Sequence, residues 1–271
     1  MEMSTRETAV AGQFYPSDPQ EIRKVFDHYN QVLEKHFSKD DAIWQLHPRA
    51  VIVPHAGYIY SGFTANIALK VLADQDIGRI VIIGPSHRIY FQGSSIAECD
   101  KYHTPLGDLR IDRKLACELK EEFGLAYHPE AHHEHSTEVQ FPFIKAYKPE
   151  VRVEEIVYSD EDPEKLARVI KHLLQDPKTA IVISTDLSHY YDLQKANRLD
   201  SLCLEAVKEL DRGKLHGGCE ACGKIGVEAM MIAAKELGME SVLLDYRTSA
   251  DASGDESQVV GYMSAAFVES K

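Results

Sequence analysis

The stretch IVIIGPSHR, residues 80–88, is an apolar run that ends in a proline turn and a histidine. The same arrangement occurs in AVIVPHAGYIYSG, residues 50–62, and in AIVISTDLSHYYD, residues 180–192. Runs that are apolar on both faces are typical of parallel strands whose sheet is covered by helices on both sides. Each run therefore predicts a buried strand, and one histidine follows each of the three strands: His55, His87 and His189.

Helical patterns alternate with these strands. SGFTANIALKVLAD predicts a helix capped by Ser61 between the first two strands, and strand, helix and strand with short links form a βαβ crossover. The remaining helix and strand patterns continue the alternation without a linker or repeat. We therefore predict a single α/β domain over residues 1–271, with a mostly parallel or mixed central sheet and helices on both faces.

Capping residues mark several of the predicted helices. DPQEIRKVFDHYNQVLEKHF has Ser17 or Asp18 as its cap and a proline in its first turn. DPEKLARVIKHLLQ has Asp162 in the same position. HSTEVQFPFIKAY predicts a helix capped by Ser136, although Pro142 limits how far it extends.

Composition and charge exclude several classes of function. The chain has 30 Lys and Arg against 43 Asp and Glu, and its net charge of −13 disfavours binding to nucleic acid or to an anionic membrane surface. There is no apolar stretch long enough for a transmembrane helix. The start, MEMSTRETAVAGQFYP, lacks a signal-peptide pattern, and five scattered cysteines suit a reducing cytoplasm better than a disulfide framework.

The three histidines predict a shared site. Ligands in α/β sheets bind where the carboxyl ends of neighbouring strands meet, and all three histidines lie just beyond such ends. Asp186 lies three residues before His189. Imidazoles with a carboxylate and open positions favour a divalent transition metal, with Fe(II) first and zinc or copper as competitors.

Eight sequence blocks, in order, resemble the Memo family, whose prokaryotic members are often called AmmeMemoRadiSam system protein B. The blocks lie between Val10 and Phe267: VAGQFYPSD, VPHAGYIYSG, IIGPSHR, HTPLGDLRID, EHSTEVQFPF, STDLSHY, EACG and YRTSADASGDESQVVGY. The resemblance implies a fold like that of the class III extradiol dioxygenase catalytic subunit. Those enzymes hold Fe(II) with two histidines and a carboxylate and use a further histidine as acid and base.

The resemblance also implies roles for individual residues. His55 and His87 match the imidazole ligands, and His189 matches the histidine that faces the metal, with Asp186 beside it. Animal Memo proteins carry a cysteine in the segment aligned with TSADASGD, where this chain has none and an ungapped count reaches Ala252. We therefore predict a carboxylate as third ligand, either Asp251 or Asp255.

Further residues are expected to line the pocket. His135 and Glu138 lie in the EHSTE block, and Cys222 lies in the EACG block. His135 is a catalytic candidate that could bond a substrate or orient a ligand, and Glu138 and Cys222 are expected to bind substrate. Tyr58 could position a substrate or pack under a helix, and Arg88 could bind an anionic group or lie at the surface. Two functions stay open: a metal-dependent, dioxygenase-like redox enzyme acting on a small molecule, or a non-catalytic protein that binds a peptide or an anionic ligand.

Overall fold

A mixed sheet of eleven strands runs through the computed structural model, which describes residues 4–38 and 40–270. The predicted α/β architecture is confirmed. Five parallel strands form the centre, in the order β6-β7-β3-β8-β2, and antiparallel strands flank them. The strands are Thr5–Arg6 (β1), Pro48–Val53 (β2), Arg79–Pro85 (β3), Ser94–Ile96 (β4), Lys101–Tyr102 (β5), Leu109–Ile111 (β6), Arg152–Tyr158 (β7), Thr179–Ser184 (β8), His189–Tyr191 (β9), Met239–Thr248 (β10) and Val259–Glu269 (β11).

Helices cover both faces of the sheet. They are Pro19–His36 (α1), Tyr58–Ala73 (α2), Arg113–Phe123 (α3), His135–Glu138 (α4), Phe141–Tyr147 (α5), Pro163–Leu173 (α6), Leu193–Glu209 (α7), Arg212–His216 (α8), Lys224–Glu236 (α9) and Ala250–Ser253 (α10), with 3-10 turns at Ala42–Gln45 and Pro129–His132. Alternate residues of β2 enter two different cores. Ala50 and Ile52 pack with α3, α6, α7 and α9, whereas Val51 and Val53 pack with α1, α2 and α5.

Two of the predicted helix starts are confirmed and two are wrong. Asp18 and Asp162 cap α1 and α6 through their side chains. Helix α2 begins at Tyr58 and not at Ser61, whose hydroxyl donates to the Ala56 carbonyl. The predicted helix after His135 is broken into α4 and α5, and it is capped by Glu134, because the Ser136 hydroxyl donates to the Pro85 carbonyl.

A disulfide joins Cys203 of α7 to Cys219, with Cα atoms 4.8 Å apart. The scattered cysteines favoured a reducing cytoplasm over a disulfide framework, and this one pair is a departure from that expectation. The two residues are distant in sequence but buried side by side where α7 packs on the turn before α9. None of the described helices combines the length and apolarity that a membrane span requires.

The order of the central strands positions the predicted site. Strands β3, β8 and β2 are adjacent and parallel, so their carboxyl ends lie side by side. The turns that follow them carry His87, Asp186 and His55. The turn before α9 reaches the same edge, because the Cys222 amide donates to the carbonyl of Asp186.

Candidate metal centre

His55 is held in a buried position at the end of β2. Its backbone amide donates to Asp186 Oδ1 at 2.7 Å, and its Nδ1 lies 3.1 Å from the Ser184 hydroxyl. Burial lowers the pKa of His55 well below its usual value, and the neighbouring His87 and His135 lower it further. The imidazole is therefore neutral, which is the form that binds metals.

His87 and His135 lie beside His55 and share one carboxylate. The ring centroid of His87 is 5.1 Å from that of His55 and 4.7 Å from that of His135. Glu134, which is 1% exposed, accepts the His87 amide at 2.6 Å and contacts His135 Nδ1 at 2.7 Å and His87 Nδ1 at 3.5 Å. Glu134 therefore orients both rings through their Nδ1 atoms, and neither Nε2 atom has a hydrogen-bond partner among the described residues.

The charge of Glu134 is stabilised by these same contacts. Burial alone would raise its pKa, but hydrogen bonds from His135 and His87 hold the pKa of Glu134 well below its usual range. The carboxylate also accepts the backbone amides of His135 and Ser136. Because its oxygens are occupied in this way, Glu134 is better suited to orienting ligands than to binding an ion itself.

Cys222 completes a group of potential ligands with two of these histidines. Its Sγ lies 3.3 Å from His55 Nε2, and one ligand atom each from His55, His87 and Cys222 lie within 4.8 Å of one another. Burial raises the pKa of the Cys222 thiol to about 12, with a smaller contribution from the charge of Asp186. Metal–ligand bonds of about 2.0–2.3 Å place ligand atoms at comparable separations, so the group fits one transition ion.

Asp186 lies beside His55, with its Oδ2 4.0 Å from His55 Nε2, and His189 follows three residues later in the chain. Asp186 is 4% exposed, and burial raises its pKa. His189 starts β9, which pairs with β11, and it is partly exposed.

Comparison with known proteins gives the family. Residues 6–266 match the Memo family, described as Memo-like protein. A MEMO1 family protein of Aquifex aeolicus (strain VF5) is 34% identical over 278 residues, covering 98% of this chain and all of the relative. Others from Desulfurococcus amylolyticus and Sulfolobus acidocaldarius are 32% and 34% identical, covering 98% and 96% of this chain and 99% and 98% of those proteins. The chain belongs to the Memo family.

In this Memo-family protein the two predicted carboxylate ligands lie apart from the histidines. Asp251 is exposed on α10 and accepts the Thr248 amide at 2.8 Å. Asp255 is exposed too, and accepts the amide and hydroxyl of Ser257. Both carboxylates therefore accept hydrogen bonds from backbone amides within the connection between β10 and β11. The third potential ligand beside the histidines is instead Cys222, which the sequence had suggested only as a pocket residue.

Of three residues predicted to bind substrate, two have other contacts within the protein. The Tyr58 hydroxyl donates to the Val139 carbonyl at 2.7 Å, and the ring is buried. Glu138 binds Arg6, the Tyr15 hydroxyl and the amides of Ala9 and Val10, and so fastens the amino-terminal segment. Arg88 is exposed next to His87 and remains available to a ligand.

Sequence reasoning missed two residues that orient the candidate ligands. Glu134 directly precedes His135 in the quoted EHSTE block, and Ser184 ends the apolar run of β8. Their positions follow from the tertiary contacts of α4 and β8, and the only signal in the sequence was an acidic residue beside a candidate histidine.

Proposed function

We propose that this Memo-family protein is a metal-dependent redox enzyme with a dioxygenase-like site, in which His55, His87 and Cys222 hold a divalent transition ion. The observation that carries the proposal is the grouping of these three ligand atoms, which come from three separate segments of the chain. Three protein ligands leave positions open for a substrate and a second reactant.

Fe(II) is our first choice for the ion, and copper and zinc are the alternatives. Imidazole suits all three metals, whereas a thiolate favours copper and zinc more than the predicted carboxylate would. When bound, the ion would supply Lewis acidity and, if it is iron or copper, one-electron chemistry.

The chain's own residues support this chemistry. Glu134 and Ser184 engage the Nδ1 atoms of His87 and His55, which directs the opposite nitrogens to the pocket. His189, partly exposed at the rim, would take a proton from a substrate hydroxyl on its imidazole and later return it. Asp186, which is buried with its Oδ2 4.0 Å from His55 Nε2, would stabilise positive charge that develops at the site.

Exposed aromatic side chains favour a second candidate function, ligand binding without turnover. Ile59, Tyr60 and Tyr190 are 76%, 43% and 71% exposed. Tyr190 also has a φ of 61°, a strained value for a bulky residue and one that recurs at functional sites. These features suit a peptide or small molecule, and Arg88 is exposed for an anionic group.

Metal analysis by ICP-MS of protein purified without oxygen tests the proposal. We expect near-stoichiometric metal in wild type, strong loss in Cys222→Ala and His55→Ala, and no loss in the matched Asp251→Asn control. Equal metal content in Cys222→Ala and wild type would reject the ligand set. Oxygen consumption with a panel of catechols then separates the two functions, because a metal-loaded protein that consumes none favours binding alone.

A further inference from the structure

A cavity of about 620 Å³ lies at the end of the sheet opposite to the metal centre. It is formed by β5, β6, the first turn of α3, one residue of α5 and residues 149–152. Arg110 of β6 pairs in register with Arg152, the first residue of β7. The cavity therefore borders the amino end of β7, whereas His55 and His87 lie beyond the carboxyl ends of the parallel strands.

The cavity is richer in cations than the protein as a whole. Its lining has six basic residues, which are Lys101, Arg110, Arg113, Lys114, Lys145 and Arg152. Four acidic residues accompany them, which are Asp100, Asp108, Asp112 and Glu150. Since the whole chain has 30 basic and 43 acidic residues, the balance of charge is reversed here.

Most of these acidic side chains are already neutralised. Asp108 binds both Lys101 and His103. Asp112 is 2% exposed and binds Arg79, which lies outside the cavity lining, at 2.9 Å. Asp100 binds Arg113 at 2.8 Å.

Several cations are left without a matching charge. Within the described residues, Arg110, Lys114 and Lys145 have no carboxylate within 4.0 Å. The Lys145 ammonium donates to the Pro149 carbonyl. Arg152 is 3.8 Å from Asp112, and its side chain is 63% exposed.

The positions of these cations are unfavourable in the absence of an anion. Arg110 and Arg152 are like charges in register on the neighbouring parallel strands β6 and β7, so they repel one another. Arg113 and Lys114 lie in the first turn of α3, where the helix dipole disfavours cations, and the capping carboxylate of Asp112 is shared with Arg79 and the Leu115 amide. A bound anion would remove both penalties.

We propose that this cavity binds a compact polyanion, a molecule carrying a di- or triphosphate group. Guanidinium groups bind phosphate oxygens in pairs, and the volume exceeds what a single phosphate needs. No aromatic side chain is among the described lining residues, whose apolar members are Ile111, Pro149 and Val151. The cavity thus offers nothing on which a nucleobase could stack, and the phosphates themselves provide the recognition.

Isothermal titration calorimetry of the full chain with pyrophosphate and with tripolyphosphate at low ionic strength tests this proposal. We expect saturable binding, weakened on the order of tenfold or more in the Arg110→Ala/Lys114→Ala double variant. A matched double variant, Arg168→Ala/Lys235→Ala, removes two exposed cations outside the cavity and should bind as wild type does. Binding should persist in Cys222→Ala, which separates this cavity from the metal centre.

Two results would overturn the proposal: no saturable binding by wild type, or the same loss of affinity in both double variants. Titration with ATP tests whether the cavity recognises more than the phosphates. Affinity for ATP equal to that for tripolyphosphate supports recognition of the phosphates alone. Affinity for ATP tenfold higher would contradict a compact polyanion as ligand.

Discussion

At the scale of single residues, the candidate site depends on the side chains that hold each potential ligand: Glu134 contacts His87 and His135, and Ser184 contacts His55. The sequence could nominate His55, His87 and His189 as site residues because each follows a β-branched run. In α/β sheets, ligands bind at the carboxyl ends of such strands. The potential ligand role of Cys222 could not be predicted, since it depends on how the turn before α9 packs against Asp186. Residues that orient a metal ligand are harder still to identify in the sequence, because a single carboxylate such as Glu134 belongs to no recognisable spacing pattern.

The first prediction concerns Glu134, which contacts His87 and His135 at their Nδ1 atoms. Glu134→Gln removes a charged acceptor from both imidazoles, so we expect metal affinity to fall about 10–100-fold. Competition with a chelator measures the affinity. The melting temperature of the metal-free protein serves as the control for a purely structural effect. Unchanged affinity in Glu134→Gln would show that this carboxylate does not tune the site.

The second prediction concerns Gly261, where β11 meets α7. A Cβ atom there would overlap the carboxylate of Asp200, which also accepts the Ser188 amide at 2.9 Å and the Tyr246 hydroxyl at 2.8 Å. Gly261→Ala should therefore lower the free energy of unfolding by about 1–3 kcal/mol. Gly78→Ala is the matched control, because its Cβ would meet only Lys178 Cβ at 3.9 Å. Urea denaturation should show that Gly261→Ala is less stable than Gly78→Ala. Equal stability of the two variants would contradict the packing argument.

At the scale of elements, the helix boundaries show where local rules were overridden. Asp18 and Asp162 cap their helices as predicted, because each lies exposed at a helix start with nothing else to bind. Ser61 and Ser136 do not cap their helices. Their hydroxyls donate instead to the backbone carbonyls of Ala56 and Pro85. A competing tertiary partner of this kind cannot be predicted from the sequence.

The disulfide that joins α7 to the turn before α9 gives the third prediction. Cys203 and Cys219 are 16 residues apart, and closing a loop of this length stabilises a fold by about 3 kcal/mol. We expect a reductant to lower the free energy of unfolding by about that amount in wild type. The Cys203→Ala/Cys219→Ala variant should not respond to the reductant. Denaturation curves of wild type that coincide with and without reductant would contradict this.

The fourth prediction concerns a buried pair between β7 and the 3-10 turn at Pro129–His132. Glu155 Oε2 lies 2.5 Å from His132 Nδ1, and Glu155 also accepts the hydroxyls of Tyr102 and Thr137. Burial raises the pKa of Glu155 to about 8 and lowers the pKa of His132 to about 3. Near neutral pH, both groups are therefore uncharged in the folded protein.

The sign of the pH dependence follows from these pKa values. Glu155 binds its proton more tightly when folded, so its contribution to stability is fully present below about pH 4.5 and is lost as the pH rises through about 8. His132 is neutral in both states above about pH 6.5 and adds nothing there. Between pH 6.5 and 8, wild type should therefore lose stability relative to Glu155→Gln, by up to about 1.4 kcal/mol per pH unit. Parallel stability curves for the two proteins would contradict this.

At the scale of the whole molecule, the sheet separates two sites. The candidate metal ligands lie beyond the carboxyl ends of the parallel strands β2 and β3 and on the turn before α9. The cationic cavity lies at the opposite end and could not be predicted, because its residues come from β5, β6, α3 and α5, and the block HTPLGDLRID contains only some of them. The overall negative charge also concealed it, since net charge says nothing about local clusters.

X-ray absorption spectroscopy at the edge of the bound metal tests the central claim most directly. With His55, His87 and Cys222 as ligands, the spectrum of the metal-loaded protein should contain one sulfur neighbour at about 2.3 Å beside nitrogen neighbours at about 2.0–2.1 Å. The sulfur contribution should disappear in Cys222→Ala and persist in Asp251→Asn. A shell of nitrogen and oxygen alone in wild type, altered by Asp251→Asn, would contradict the account.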